Sequence, residues 1–183
     1  NTNNSDYEII SMGHRNQQGL FFDKEKNIIL ATEHGPLGGD EINLIEVDKI
    51  KNNKILNYGW AVASYGEHYC PRNEKKCSKI YKKYPLYKSH SEHGFIEPLK
   101  SFVPSIAISE ITKINNNKYA FGSMGHERKG DKSLYFFELN NKNKIANMER
   151  IKLFERVRDL RVKDNRLYLF LEQPSSIGIL KLN

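Results

Sequence analysis

The stretch VRDLRVKDNRLYLFLEQPSSIGILKL, residues 157–182, decides the fold class. It holds three short runs rich in Val, Leu, Ile, Phe and Tyr: Val157–Lys163, Arg166–Glu172 and Ser176–Leu182. Runs of this length with period-two character, bounded by turn residues, read as strands rather than helices. Asp164-Asn165 between the first two suits a tight turn that needs positive φ. The same order of first strand, turn, second strand and third strand recurs upstream. One copy reads QGLFFD, KEKN, IILATE and EINLIEV from Gln18 to Val47; another reads SIAISEITKI, NNNK, YAFGS and SLYFFEL from Ser105 to Leu139. Met148–Phe154 adds an outer strand to that copy, and Tyr7–Ile10 is a further candidate strand. The chain is read as all-β. The spacing of Lys118 and Arg166, at matching turn-to-strand junctions, fits one four-stranded propeller blade. About three blades do not close a ring, so a partial β-propeller is expected.

Composition narrows the function classes. The 183 residues carry 29 Lys or Arg against 22 Asp or Glu, a net charge of +7. Ten Tyr, nine Phe and one Trp supply large apolar bodies, which argues against disorder. The longest fully apolar runs, such as Ile28–Ala31 and Leu167–Leu171, are too short for a membrane-spanning helix. A basic chain invites a nucleic-acid reading. Here Lys is read as scattered, with short clusters at Lys75-Lys76 and Lys82-Lys83, and no nucleic-acid motif is found, so no nucleic-acid partner is expected. No secretory signal is seen. The start at Asn1 rather than Met raises the expectation that an N-terminal part is missing.

Residues 49–101 read as a loop-rich insertion between the first two copies, with six Tyr and both cysteines. Cys70 and Cys77 favour a local disulfide over two free thiols, in the absence of zinc-type spacing. Polar residues stand at the starts of the three first strands: His14-Arg15-Asn16, Ser105, and Arg156 with Arg158. In a propeller these starts converge on the axis. Arg156 and Arg158, two residues apart, share one face of a strand. They suit a ligand with several carboxylates, or else a structural network with Glu155, Asp159 or nearby groups. Residues 33–43, EHGPLGGDEIN, form a turn whose carbonyls cannot all join a ladder. Those carbonyls beside Asp40 and Glu41 are hard oxygen donors of the Ca²⁺ type; the alternative is an ordinary polar hairpin loop. The six histidines show no metalloprotease spacing, and GxSxG, Walker and GxGxxG motifs are absent.

These motifs, in this order, resemble the soluble PQQ-dependent sugar dehydrogenases, the glucose/sorbosone dehydrogenase family with its aldose sugar dehydrogenase branch. The resemblance rests on Gly13 to Leu20, Glu33 to Pro36, Gly39 to Asn43, Asn57-Tyr58-Gly59-Trp60, Pro104 to Ala107 and Arg156 to Asp159. It implies a six-bladed propeller with pyrroloquinoline quinone (PQQ) on its axis, of which residues 1–183 are the C-terminal half. It further implies that Arg15, Asn16, Ser105, Arg156 and Arg158 bind PQQ. The Gly35 and Pro36 carbonyls would bind the cofactor's Ca²⁺, and Glu41 and Tyr58 would serve a further Ca²⁺ site. None of the histidines matches the family's catalytic base, so no catalytic residue is expected in this half. The family's cofactor-binding Lys is not cleanly placed; Lys129 or Lys132 could stand in for it. The implied activity is oxidation of a sugar hydroxyl in the periplasm or outside the cell, with an unidentified electron acceptor. The rival reading is a non-catalytic propeller that binds a ligand or protein. Half a ring leaves sheet faces open, so the isolated chain is expected to be inactive and to pair with another copy or be poorly stable.

Overall fold

The computed structural model describes residues 7–50, 55–125, 131–173 and 175–182. The strands are β1 (Ser11–Met12), β2 (Gln17–Asp23), β3 (Ile28–Glu33), β4 (Asp40–Glu46), β5 (Leu56–Asn57), β6 (Lys100–Phe102), β7 (Ile108–Lys113), β8 (Lys118–Ser123), β9 (Ser133–Leu139), β10 (Ile145–Lys152), β11 (Val157–Lys163), β12 (Arg166–Leu171) and β13 (Ser176–Lys181). One α-helix among the described residues, α1 (Lys75–Lys83), lies between β5 and β6. Three antiparallel sheets run β2-β3-β4-β6, β7-β8-β9-β10 and β11-β12-β13, and β1 pairs in parallel with β5. None of these sheets closes on itself. No helix among the described residues is long and apolar enough to cross a membrane.

Three expectations are corrected. Tyr7–Ile10 is not a strand; Tyr7 and Ile9 are exposed, and pairing begins only at Ser11. The strand expected from Ser105 begins at Ile108, because the amides of Ile106 and Ile108 both turn to the Asp40 carboxylate instead of a ladder. The first sheet has a fourth strand that the pattern did not reveal: β6, at the end of the 49–101 segment, pairs with β4.

The sheets stack through their first strands, β2 against β7 and β7 against β11. Two glycines permit the close approach. A Cβ on Gly19 would lie 2.8 Å from the Glu110 Cα, and one on Gly122 would lie 2.7 Å from the Val157 Cβ. Hydroxyls stitch the seams: Thr32 Oγ1 donates to the Ser109 carbonyl at 2.6 Å, and Ser109 Oγ donates to the Val157 carbonyl at 2.6 Å. Along the first seam Gly19 faces Glu110, while Asp23 meets Lys113, so β2 and β7 ascend together. Their starts therefore lie at one end of the stack. Between the first two sheets Ile28, Leu30, Ile42, Ile108, Phe121 and Phe137 form one core, and the cross-strand pair Phe121–Tyr135 stacks at 4.7 Å. Val157, Leu160, Leu167 and Leu169 close the next interface against Ala120, Leu134 and Phe136. Each fully buried large side chain of this kind contributes about 1.5–3 kcal/mol.

Candidate functional site

The turn between β3 and β4 is organised by Asp40, which is fully buried. Its Oδ1 accepts from the Gly35 amide at 3.1 Å and from Ser105 Oγ at 2.6 Å. Its Oδ2 accepts from the amides of Ile106 and Ile108 at 3.0 and 3.2 Å. One carboxylate thus joins the Gly-Pro turn to the segment entering β7. Gly38 and Gly39 allow the turn its positive φ of 83° and 72°. Arg15 reaches in from the connection between β1 and β2: its Nη1 donates to the His34 and Gly35 carbonyls at 3.0 and 2.7 Å, and its guanidinium lies over Trp60. Asn16 is exposed; its carbonyl accepts from the His34 amide and its Oδ1 from Gln18.

Below this turn lies an acidic cavity. Glu33 and Glu41 are direct cross-strand partners in the β3–β4 register, and both are buried. Like charges so placed repel. Asn43 Nδ2 donates to both, at 2.8 Å to Glu33 and 3.3 Å to Glu41, and the Arg15 amide donates to Glu33 at 2.7 Å. Burial, followed by the Glu33 charge, pushes the Glu41 carboxyl up to about 9. His90, also buried, uses Nδ1 on the Tyr58 carbonyl at 2.9 Å. A carbonyl only accepts, so that nitrogen carries the proton and Nε2 is left as an unpartnered lone pair 3.5 Å from Glu41. Burial lowers the His90 pKa, which keeps the ring neutral. The Asn43 Oδ1 is likewise buried without a partner. Glu33, Glu41, Tyr58 and His90 line a space of about 10 Å³, enough for one water-sized body. Two buried carboxylates and a bare imidazole nitrogen border this small space, and carboxylate oxygens are donors of the kind Ca²⁺ takes. The Tyr58 hydroxyl turns away and donates to the Leu44 carbonyl at 2.7 Å.

At the start of β11, Arg156 Nη1 meets Glu172 Oε1 at 3.1 Å, and Arg158 Nε meets Glu172 Oε2 at 2.7 Å. The pair shares one face as expected, but around a carboxylate the sequence reading did not single out. Two guanidinium groups on one carboxylate leave one positive charge uncompensated. The Arg156 Nε is buried without a partner, and Arg158 is exposed. An anionic group fits this end of the stack. Ser105 and Pro36 line a neighbouring groove of about 420 Å³ together with Tyr69, Ala107 and Gly125.

The structure therefore gathers Arg15, Gly35, Glu41 and Tyr58 around one cavity, sets Ser105 and Pro36 beside it, and pairs Arg156 with Arg158 on Glu172. Glu33, Asn43, His90 and Glu172 went unmarked. Hairpin register was the available signal for three of them. Glu33 must face Glu41 across the Gly turn with Asn43 beside it, and Glu172 must close the hairpin that starts at Arg156. The backbone bears this out: the Glu172 amide donates to the Arg156 carbonyl at 3.0 Å. Nothing local pointed to His90. Lys132 is half-buried, and its carbonyl accepts from the Leu153 and Phe154 amides. Lys129 lies outside the described residues. Cys70 and Cys77 are disulfide-bonded.

The glucose/sorbosone dehydrogenase family model matches residues 1–180. The E. coli (strain K12) aldose sugar dehydrogenase YliI is 29% identical over 178 residues, covering 92% of this chain and 42% of that protein. The uncharacterized protein slr1608 of Synechocystis sp. is 32% identical over 169 residues, covering 91% and 37%. Among solved structures, a glucose dehydrogenase aligns with a TM-score of 0.71 at 27% identity, over 94% of this chain and 46% of that one. The apo form of the soluble aldose sugar dehydrogenase of E. coli aligns at 0.69 and 30% identity, over 93% and 45%. The chain spans less than half the length of each of these proteins. With an all-β stack of antiparallel sheets and a family match that runs almost from end to end, the chain belongs to the glucose/sorbosone dehydrogenase family.

Proposed function

We propose that residues 1–183 form the C-terminal half of a six-bladed propeller that oxidises a hydroxyl of an aldose sugar with PQQ and Ca²⁺, outside the cytoplasm. The 49–101 segment is an insertion within that half. The Arg156–Glu172–Arg158 cluster carries the reading: it holds an uncompensated positive charge and a buried, unpartnered Nε at the end of the sheet stack where Arg15 and Ser105 also stand. A quinone bearing several carboxylates would be held there by Arg156 and Arg158, with Ser105, Arg15 and Asn16 at its margin. Ca²⁺ would take the carboxylates of Glu33 and Glu41 in the acidic cavity, or the carbonyls of the Gly35-Pro36 turn. When bound, the quinone supplies the two-electron acceptor, and Ca²⁺ supplies Lewis-acid polarisation.

The chain's own residues then have definite tasks. Arg158, exposed and only partly neutralised by Glu172, offers its remaining donors to negative charge as it develops. Arg15 fixes the His34 and Gly35 carbonyls, and Asp40 fixes the amide side of the same turn, so the donor geometry is set before any ligand arrives. The proton of the sugar hydroxyl goes to a base on the other half of the ring. Open apolar faces support the partial ring. Phe170, Ile177 and Ile179 are exposed on the outer side of the β11-β12-β13 sheet, and Leu20 and Phe22 are exposed on β2. Further blades, or a second copy, would cover them.

Reconstitution of the full-length protein with PQQ and Ca²⁺ tests the reading. Sugar-dependent dye reduction is expected, lost with a chelator. Its absence in protein that binds PQQ would favour the rival, a non-catalytic propeller that binds a ligand or protein partner.

A further inference from the structure

The net charge is concentrated, contrary to the impression of scattered lysines. Between Tyr69 and Lys88 there are seven Lys or Arg and one Glu, a net charge of +6 in a chain whose total is +7. The centre of this segment is α1. At about 100° per residue, Lys75, Lys79 and Lys82 fall on one line, with Lys76 and Lys83 beside it, all five within an arc of roughly 120°. All five are exposed. The opposite side is anchored. Cys77 is buried and bonded to Cys70, and the Tyr81 hydroxyl donates to Glu67 at 3.0 Å. Glu67 also pairs with Arg72 and Lys88, and its backbone exchanges hydrogen bonds with Leu37 at 2.8 and 2.9 Å. Lys75, Lys79, Lys82 and Lys83 have no carboxylate within ion-pair distance among the described residues. The inward side of α1 is therefore tied through Glu67 to Leu37 of the Gly35–Gly39 turn, its lysine face is turned outward with only Lys76 paired, to Glu74, among the described residues, and Tyr69, which leads into the helix, lines the groove with Pro36 and Ser105.

We propose that this face of α1 docks an acidic one-electron redox protein that drains the site. The inference rests on the sugar-oxidation reading. Converting one hydroxyl to a carbonyl releases two electrons and two protons. The electrons leave singly to two acceptor molecules in succession, and the protons go to solvent. Nine helical residues span about 14 Å, a footprint that fits the small, transient interfaces of redox encounters. Charge complementarity of this kind speeds encounter more than it tightens binding. A membrane surface fits less well, because the apolar side of α1 is turned inward and Ile80 is its one exposed aliphatic residue.

The test uses the full-length holoenzyme, an acidic c-type cytochrome as probe and a basic one as control. Association is followed by stopped flow from about 20 mM to 0.5 M salt, and sugar-dependent reduction of a small neutral dye runs in parallel. The acidic cytochrome should associate with a steep salt dependence. K75Q/K79Q/K82Q should slow it by about tenfold or more at low salt, converge with wild type at high salt and leave dye reduction unchanged. The basic cytochrome should show neither effect. Unchanged association in the variant, or a flat salt profile in the wild type, overturns the docking while intact dye reduction upholds the enzyme. The wild-type salt profile decides between docking and no docking even if the variant does not fold. Absent dye reduction overturns the sugar-oxidation reading and the redox role together. Tighter, lysine-dependent binding to phosphatidylglycerol vesicles or duplex DNA overturns the protein partner in favour of another polyanion.

Discussion

Asp40→Asn exchanges one oxygen for an NH₂ group at the residue that joins the Gly-Pro turn to the entry of β7. The four donors divide evenly: Gly35 N–H and Ser105 Oγ on Oδ1, Ile106 and Ile108 N–H on Oδ2. An asparagine can satisfy only one of these pairs. With its oxygen toward Ile106 and Ile108, the new NH₂ faces Gly35 N–H and the Ser105 hydroxyl. The hydroxyl can rotate to accept, but the Gly35 amide is left against another donor. The reverse orientation strands two backbone amides and is worse. The favoured orientation orphans one buried N–H, at about 1–3 kcal/mol, and weakens the remaining bonds by removing the charge that assists them. A loss of roughly 2–4 kcal/mol follows, large for a change of one atom type. Ser105→Ala, which removes the hydroxyl donor to Asp40 and a long, exposed 3.3 Å acceptance from the Ala107 amide, should cost about 1 kcal/mol. Urea unfolding of the full-length protein at neutral pH, followed by far-UV circular dichroism, measures both. An Asp40→Asn variant within about 0.5 kcal/mol of wild type would refute the account of Asp40 as the organiser of the turn.

Three further outcomes can be checked on the same protein. Because the folded-state pKa of Glu41 is raised from 4.5 to about 9, the folded state keeps a proton that the unfolded chain has released, and stability falls as pH rises across that window. In chelator, Glu41→Gln should therefore gain steadily on wild type as pH rises from about 4.5 towards 9, while added Ca²⁺ should stabilise wild type more than the variant; a pH-independent difference would contradict this. Burial raises the Asp23 pKa, but hydrogen bonds from Tyr119, at 2.5 Å, and Lys113 outweigh it, so the folded value lies below 3.8. That contribution is complete above pH 3.8 and is lost as pH falls through the folded value; acid titration of the unfolding midpoint should show a shallower fall for Asp23→Asn than for wild type. Finally, Gly122→Ala places a methyl 2.5 Å from Ser109 Oγ and 2.7 Å from Val157 Cβ, at the seam of β7, β8 and β11. The overpacking should cost about 1–3 kcal/mol in urea unfolding, and a neutral result would mean that the seam is looser than described.

Local features were the most legible. β3, β9 and β11 begin and end where alternation and turn residues placed them, because strand periodicity and Asn-rich turns are properties of a few consecutive residues. β6 was hidden: Lys100–Phe102 is too short to show a period, and it is a strand only because β4 offers it an edge. α1 was hidden as well, since its nine residues are mostly lysine, and Cys77 alone is buried.

What the sequence determined by itself is the all-β class, the order of the repeated strand units and the motifs that place the chain in its family. Hairpin register, which sets Glu33 opposite Glu41, was also there to be read. The tertiary structure decided which charges meet. His90 reaches Glu41 from a segment about fifty residues away, and the cavity forms only when the β3–β4 turn, Tyr58 and His90 pack together. The arginines at 156 and 158 could have faced a ligand or a protein carboxylate; the structure gives them Glu172 and still leaves donors free. The lysines are a count in the sequence and become a face only once α1 turns Cys77 and Tyr81 inward. Periodicity is written along the chain, whereas electrostatic partnership depends on distance, and distance is fixed only when the sheets close on one another.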